Sequence, residues 1–420
     1  MELRRVVITG MGVLSPVGND LLTVWKNLEE GNCNAAEITH FDASKFKTRF
    51  ACEVENFDAL SFLDAKQIRH LDLFTQYALF VAQEAIADSR LQLDAEDLTR
   101  IGVVWGSGMG GVRTFEDEMR YYFSSDGTPR FTPFLIPKVI TNIAAGYISI
   151  RYGLRGLNLT TTAACATSAL SISEAFNDIR LGKANVLVTG GSEAPVTICG
   201  VGGFNAMHAL STRNDSPKTA SRPFSKSRDG FVLGEGAACL ILEDLEHAKA
   251  RNAKIYAEIV GIGLSADAYH ITAPDPEGKG AVLVMNRALE EAQIKPEQVD
   301  YINTHGTSTP LGDIAEVRAI EQVFGEHTYN NLSLSSTKSV TGHMMGAAGA
   351  FEALASVLAI EHQTIPPTIN HQDDDADENF DPRIDFTFNH ARRKSVNYVM
   401  SNSFGFGGHN ASILLKRYEQ

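Results

Sequence analysis

The chain holds little cysteine and scatters it. Its 420 residues carry five, at positions 33, 52, 165, 199 and 239, with no CxxC spacing between any two. That excludes a zinc ribbon and a disulfide framework, and fits a reducing compartment. No HExxH or other closely spaced ligand set occurs among the 12 histidines, so a metal-centred reaction is not expected. Positive charge is also scarce: 37 Lys and Arg stand against 51 Asp and Glu, a formal net charge of −14. Nucleic acid as the main partner would need the opposite balance. Apolar runs long enough to cross a bilayer are missing, so no membrane span is expected. Residues 4–10 (RRVVITG) enter a strand-like pattern at once, which leaves no room for a secretory leader and points to the cytoplasm. What the chain does have is core material. With 44% apolar and 21% charged residues, disorder is excluded, and the length suits two or three domains or one large two-part fold.

One kind of punctuation recurs: a short β-branched run, a glycine turn, then a helical stretch. Residues 5–9 (RVVIT), 101–105 (IGVVW) and 186–189 (VLVT) each run into glycines. Apolar spacing of three and four predicts helices over 75–90, 166–182, 281–293 and 313–323, and strands alternating with helices predict an α/β architecture with buried sheets. The second half echoes the first. Residues 255–262 resemble 5–12, 299–302 with Thr304-His305-Gly306 resemble 101–108, and the stretch around Cys165 has a counterpart in 337–361. No Pro/Ser-rich linker separates the halves, here taken as 1–254 and 255–420. The acidic segment 366–382, with Asp373-Asp374-Asp375, reads as a surface loop.

Gly106-x-Gly108-x-x-Gly111 matches a dinucleotide fingerprint after a strand-like run. The helix after it is poorly formed and no acidic residue ends a second strand about 20 residues on, so a tight turn near an active site is the better reading. Cys165 lies in the small-residue run Thr161-Thr162-Ala163-Ala164-Cys165-Ala166-Thr167-Ser168, which opens the helix over 166–182. A thiol at a helix N-terminus feels the positive end of the dipole, which favours thiolate. A buried, inert cysteine is the competing reading, and it is the one adopted for the other four. Two histidines, His305 in Asn303-Thr304-His305-Gly306-Thr307 and His343 in Thr341-Gly342-His343, stand in small-residue turns at the ends of strand-like segments. Spacing alone does not place either beside Cys165.

Taken together, the Cys165 segment, His305-Gly306-Thr307-Ser308-Thr309, Lys338-Ser339-Val340-Thr341-Gly342-His343 and Asn402-Ser403-Phe404-Gly405-Phe406-Gly407-Gly408 resemble the elongating β-ketoacyl-acyl carrier protein synthases. Arg222-Pro223-Phe224 and Asp229-Gly230-Phe231-Val232-Leu233-Gly234-Glu235-Gly236 belong to the same pattern, and the likeness runs from about residue 4 to about residue 417. It implies a thiolase fold, α/β, with two similar halves stacked in five layers α-β-α-β-α, and a homodimer. It also implies a decarboxylative condensation of an acyl chain with malonyl-acyl carrier protein in fatty acid elongation, with no cofactor beyond the phosphopantetheine that the carrier brings.

By the same resemblance Cys165 is the nucleophile, and the backbone N–H groups of Cys165 and Phe406 form an oxyanion hole. His305 and His343 assist decarboxylation, Lys338 supports them electrostatically, and Glu352 partners Lys338. Thr307 and Thr309 bind the phosphopantetheine arm. Gly405-Phe406-Gly407-Gly408 forms a gating loop, with Phe404, Gly405 and Gly407 contacting substrate and Asp267 holding a position in the neighbouring loop. Lys66 and Arg69 are candidates for docking the acidic carrier, since a protein at −14 needs a local basic patch for that. Departures from the family pattern are Ala163, where a threonine is usual, and His409, where a threonine is common; His70 and His208 stand where permanent cations are often found. Three other readings compete: a ketosynthase of an aryl polyene or polyketide pathway, a non-catalytic chain-length partner, which Cys165 disfavours, and a scaffold protein.

Overall fold

Ten strands form one continuous sheet whose order carries an internal repeat. The computed structural model describes residues 3–419. In the first half β1 (Val6–Leu14), β2 (Ile101–Gly106), β3 (Asn158–Thr161), β4 (Val186–Glu193) and β5 (Gly236–Asp244) stand in the order β1-β5-β4-β2-β3. In the second, β6 (Ala257–Ala266), β7 (Tyr301–Asn303), β8 (Ser333–Ser335), β9 (Tyr398–Gly405) and β10 (His409–Arg417) stand in the order β6-β10-β9-β7-β8. Strand directions match too: in each half the first two pairings are antiparallel and the last two parallel. The halves join where β1 pairs antiparallel with β6, Val6 opposite Ile259. The echo between residues 5–12 and 255–262 is thus a spatial one.

Six helices complete the frame: α1 (Leu73–Ser89), α2 (Ile143–Tyr152), α3 (Thr167–Arg180), α4 (Lys279–Ala292), α5 (Pro310–Phe324) and α6 (Ala348–His362). Strand alternation decides which face each helix covers. In β5, Ala238, Leu240 and Leu242 point inward to α3 and α6, while Ala237, Cys239 and Ile241 point outward to α1 and α2. α4 and α5 cover the outer face of the second half. α3 and α6 lie in the middle, in one cluster with Leu187 and Leu240 of one half-sheet and Val399 and Ile413 of the other. The result is five layers, α-β-α-β-α. Because α6 sits between the two half-sheets it is buried from Ala348 to Ile360, so apart from Glu352 and Ser356 it carries small and apolar residues all round rather than a stripe.

The helices predicted over 75–90, 166–182, 281–293 and 313–323 correspond to α1, α3, α4 and α5. The acidic segment is more than a surface loop. Residues 366–369 are buried, Asp375 accepts hydrogen bonds from the N–H and Oγ of Ser227 at 2.8 and 2.6 Å, and Asp377 pairs with the buried Arg228 at 2.6 Å. Its charges anchor the Arg222–Asp229 stretch rather than facing solvent only.

Candidate active site

The site begins at a sharp turn. β3 ends at Thr161, and Ala164 takes a left-handed backbone, φ 48°, which costs a non-glycine residue on the order of 1 kcal/mol. The turn is tied down by the Ala163 N–H, which donates to Thr167 Oγ1 at 2.8 Å, and by Thr162 Oγ1, which donates to the Ser107 carbonyl at 3.0 Å. It lifts Cys165 to the head of α3. The second half repeats the turn before α6, with Met345 at φ 49°, but the residue that follows is Gly346.

That repeat explains the glycine-rich loop. Asn303 and Gly106 sit at matching strand ends, opposite Ser401 and Gly191, so Gly108 occupies in the first half the place His305 holds in the second. Its surroundings are filled by Glu193. This buried carboxylate accepts hydrogen bonds from the N–H groups of Gly108, Met109 and Gly346 at 2.7, 3.0 and 3.1 Å and from Ser107 Oγ at 3.0 Å. The N–H groups a dinucleotide phosphate would need are therefore already spent on an internal carboxyl group.

At the other copy a cavity of about 560 Å³ opens, lined by Cys165, His305, His343, Thr307, Thr309 and Phe406 among others. The Cys165 sulfur and one ring nitrogen each of His305 and His343 lie within 4.8 Å of one another. The two imidazoles stand edge to face, centroids 5.4 Å apart at 86°, and Phe404 lies 5.8 Å from His305. Three such ligands could also hold a soft cation, but no fourth carboxylate, thiol or imidazole joins the group among the described residues, short of what structural zinc requires. Both nitrogens of His343 and Nδ1 of His305 are buried without a hydrogen-bond partner, an uncommon state for buried polar atoms outside functional sites.

Lys338 and Glu352 form a buried ion pair beneath the histidines, with side chains 2% and 1% exposed. Burial pushes Glu352 up to about 7, and Lys338 opposes the rise. Burial, the Lys338 charge and, for His305, the neighbouring His343 hold both imidazoles well below their ordinary value, so both are neutral at pH 7. The helix N-terminus does not win at Cys165: burial pushes the thiol up to about 12, against the lowering effect of Lys338 and of the Phe406 N–H. At rest Cys165 is a thiol, contrary to the thiolate expected from its place on the helix.

Phe406, Gly407 and Gly408 form the tip of the β9–β10 hairpin. Gly405 lies so close to the Cys165 turn that a Cβ there would fall 2.6 Å from the Ala163 carbonyl, and Gly407 has φ 86°. Gly407 N–H donates to the Ile271 carbonyl at 2.7 Å. Asp267 accepts from Asn410 Nδ2 at 2.6 Å, and its own N–H donates to the Gly408 carbonyl at 2.9 Å. The hydroxyls of Thr307 and Thr309 are 3.0 Å apart. Lys66 and Arg69 are exposed on a short helix, Ala65–His70, and do not line the cavity, whereas His208 does.

Three positioning carboxylates escaped the sequence reading. Glu316 accepts the N–H groups of His305 and Gly306, both at 2.8 Å, and Asp313 pairs with Arg228 in the core. Their signal was two acids three apart on a helix that otherwise turns apolar residues inward. The third is Glu235. Its segment holds His343 by backbone bonds, Gly234 N–H to the His343 carbonyl at 2.9 Å and His343 N–H to the Val232 carbonyl at 2.7 Å. Burial, reinforced by the nearby Glu53, pushes Glu235 up to about 8 from 4.5. The folded state keeps a proton that the unfolded chain loses above 4.5, so this group's stabilisation is complete below 4.5 and is lost as pH rises through 8. Glu235→Gln should gain on wild type by roughly 2 kcal/mol between pH 6 and pH 8. Urea unfolding at both pH values checks this, and a constant difference refutes it.

An elbow bearing a cysteine, two neutral histidines and a buried lysine on a duplicated five-layer α/β frame define a thiol-based acyl-transfer enzyme. The chain belongs to the β-ketoacyl synthase family: the N-terminal domain of that family matches residues 3–248 and the C-terminal domain residues 256–372. It is 51% identical over 417 residues to 3-oxoacyl-[acyl-carrier-protein] synthase 2 of Coxiella burnetii and 47% identical over 417 residues to that of Vibrio harveyi, covering 99% of both chains in each case. Among solved structures it resembles a β-ketoacyl synthase from Burkholderia phymatum (TM-score 0.91, 34% identity, 99% of this chain and 100% of that one) and the ishigamide ketosynthase/chain length factor with the same figures. No helix among the described residues is long and apolar enough to cross a membrane.

Proposed function

We propose that this protein condenses acyl-acyl carrier protein with malonyl-acyl carrier protein, giving 3-oxoacyl-carrier protein, carbon dioxide and free carrier in fatty acid chain elongation in the cytoplasm. The observation that carries the reading is the convergence of Cys165, His305 and His343 within 4.8 Å at the floor of one cavity. In the first step Cys165 takes the acyl group as a thioester. Its proton leaves on the carrier's phosphopantetheine sulfur, and the thioester oxygen faces the N–H groups of Cys165 and Phe406. In the second, malonyl thioester loses carbon dioxide and the enolate oxygen takes hydrogen bonds from the two neutral imidazoles, whose unpartnered nitrogens await an acceptor. The enolate carbon then attacks the acyl carbonyl and expels Cys165. Thr307 and Thr309 bind the pantetheine arm. The tip at Phe406 admits malonyl once the cysteine is acylated. No cofactor is required beyond the arm the carrier brings, and no metal takes part.

The acyl carrier docks at the cavity mouth, with Lys66 and Arg69 supplying positive charge. Two copies pair through the free edge of β3, where Leu159 is exposed. The unpaired edge of β3 and its exposed Leu159 support that face as the dimer contact. A polyketide ketosynthase is the second reading. It is favoured by the likeness to the ishigamide protein and by a solved type II polyketide ketosynthase bound to its acyl-carrier protein, 32% identical with TM-score 0.89. Intact-mass measurement after incubation with a panel of acyl-carrier proteins distinguishes the two. Adducts with saturated chains of increasing length support elongation. Adducts confined to polyenoyl or polyketide chains support the alternative, and no adduct in folded protein refutes both.

A further inference from the structure

Cys33 and Cys52 are not used by this mechanism, yet the fold brings them together. Residues 36–37 pair antiparallel with 50–51, Ala36 opposite Ala51, which places the two cysteines at the same end of a small ribbon. Cys33 packs against the buried group formed by Ala35, Phe50, Cys52, Ala220 and Val232, and both are free thiols. Their environments differ. Cys33 is partly accessible and lines a polar cavity of about 780 Å³ that also holds Lys218, whereas Cys52 is buried behind it. The contact with Cys52, the Ala35 N–H and the Lys218 charge hold the Cys33 thiol below its ordinary value despite burial, and the Cys33 contact and burial push Cys52 up. One thiol is suited to attack an oxidant, the other to wait as a protonated partner.

Cys52 also touches the catalytic frame. A Cβ built on Gly342 would lie 3.0 Å from its sulfur, and Gly342 has φ 66°. Cys52 N–H donates to the Leu233 carbonyl at 2.8 Å and Glu235 N–H donates to the Cys52 carbonyl at 3.2 Å. Gly342 precedes His343, and Leu233 pairs with His343 in a single parallel bridge.

We propose that Cys33 and Cys52 form a peroxide-sensitive thiol pair whose disulfide form displaces the Gly342–His343 turn and lowers condensation. The Cys33 thiolate attacks hydrogen peroxide, the O–O bond breaks, and Cys33 becomes a sulfenic acid with hydroxide released. The Cys52 thiol then displaces that oxygen as water, forming the S–S bond. In total, two thiols and one hydrogen peroxide give one disulfide and two waters. The effect on rate rests on the role given to His343 above, whereas the cross-link does not.

The test treats the full-length wild type and Cys33→Ser with hydrogen peroxide, alkylates the remaining thiols and maps tryptic peptides. The expected result is a cross-link between peptides 27–45 and 50–66 in wild type only, with condensation lowered by ~10-fold, restored by dithiothreitol, and unaffected in Cys33→Ser, whose basal activity is that of wild type. Cys33 and Cys52 both recovered alkylated, under conditions that oxidise the exposed Cys199, would overturn the proposal. A cross-link formed with no change in rate would overturn the link to His343. Loss of rate to equal extent in both proteins would assign the effect to Cys165 instead.

Discussion

Replacing Cys165 by alanine is expected to abolish the acyl adduct and lower condensation by at least ~10³-fold, roughly 4 kcal/mol of barrier, while leaving the fold intact. The side chain is small and 5% exposed, and its loss removes one sulfur from a turn held by other groups, the Ala163 and Thr162 hydrogen bonds. Malonyl decarboxylation should fall far less, because His305 and His343 keep their positions and their neutral state. Intact mass after incubation with acyl-carrier protein reads the first half of this expectation, and carbon dioxide release from malonyl-carrier protein reads the second. Equal loss of both steps would mean that the cysteine also organises the decarboxylation site. The pH behaviour follows from the same environment. The thiol at about 12 gives up its proton only as the acyl group arrives, and both imidazoles stay neutral from pH 6 to 8. Acylation and decarboxylation should each be nearly flat across that range.

Lys338→Met should cost ~3–5 kcal/mol of stability, because it leaves a buried carboxylate without its countercharge. Lys338 and Glu352 sit at 2% and 1% exposure of their side chains, too deep for water to substitute. The double variant Lys338→Met/Glu352→Leu should recover much of the loss, since a packed apolar pair replaces an ion pair at little cost in many cores. Chemistry separates from stability in the same variants. The Lys338 charge is one reason both imidazoles and the thiol titrate low relative to burial alone or to their ordinary values. The double variant should therefore fold but run slowly, by ~10²-fold, with both imidazole titrations moved upward. Urea unfolding, condensation rate and imidazole NMR titration read these three effects. A stable single variant with unshifted imidazoles would remove Lys338 from the electrostatic frame.

Much of the architecture was legible as pattern. Short apolar runs ended by glycine marked β1, β2 and β4, and three- and four-residue spacing marked α1, α3, α4 and α5 to within three residues at their ends. The buried α6 was legible from the Gly/Ala-rich turn that opens it rather than from its period, because a helix between two half-sheets has no polar face. The motif residues around Cys165, His305 and His343 stood out by composition, yet nothing in their spacing put 165 beside 305 and 343. Long-range pairing did that: β3, which runs into the Cys165 elbow, lies beside β2, and β7 and β8, which run into the His305 and His343 loops, lie beside each other at the equivalent place in the second half.

The sequence by itself determined the alternation of strand and helix, the net negative charge, and the small residues that let a cysteine turn open a helix. These depend on local sterics and on which side chains water rejects. Only the tertiary structure decided which of the two copies became a site. Glu193 fills the space beside Gly108 and Gly346, while the copy facing Cys165 stays open to His305 and His343. It also set the charge states. Burial outweighs the helix dipole at Cys165, neutralises both histidines and lifts Glu235, because desolvation depends on all the neighbours a fold collects and on none that a linear motif can show.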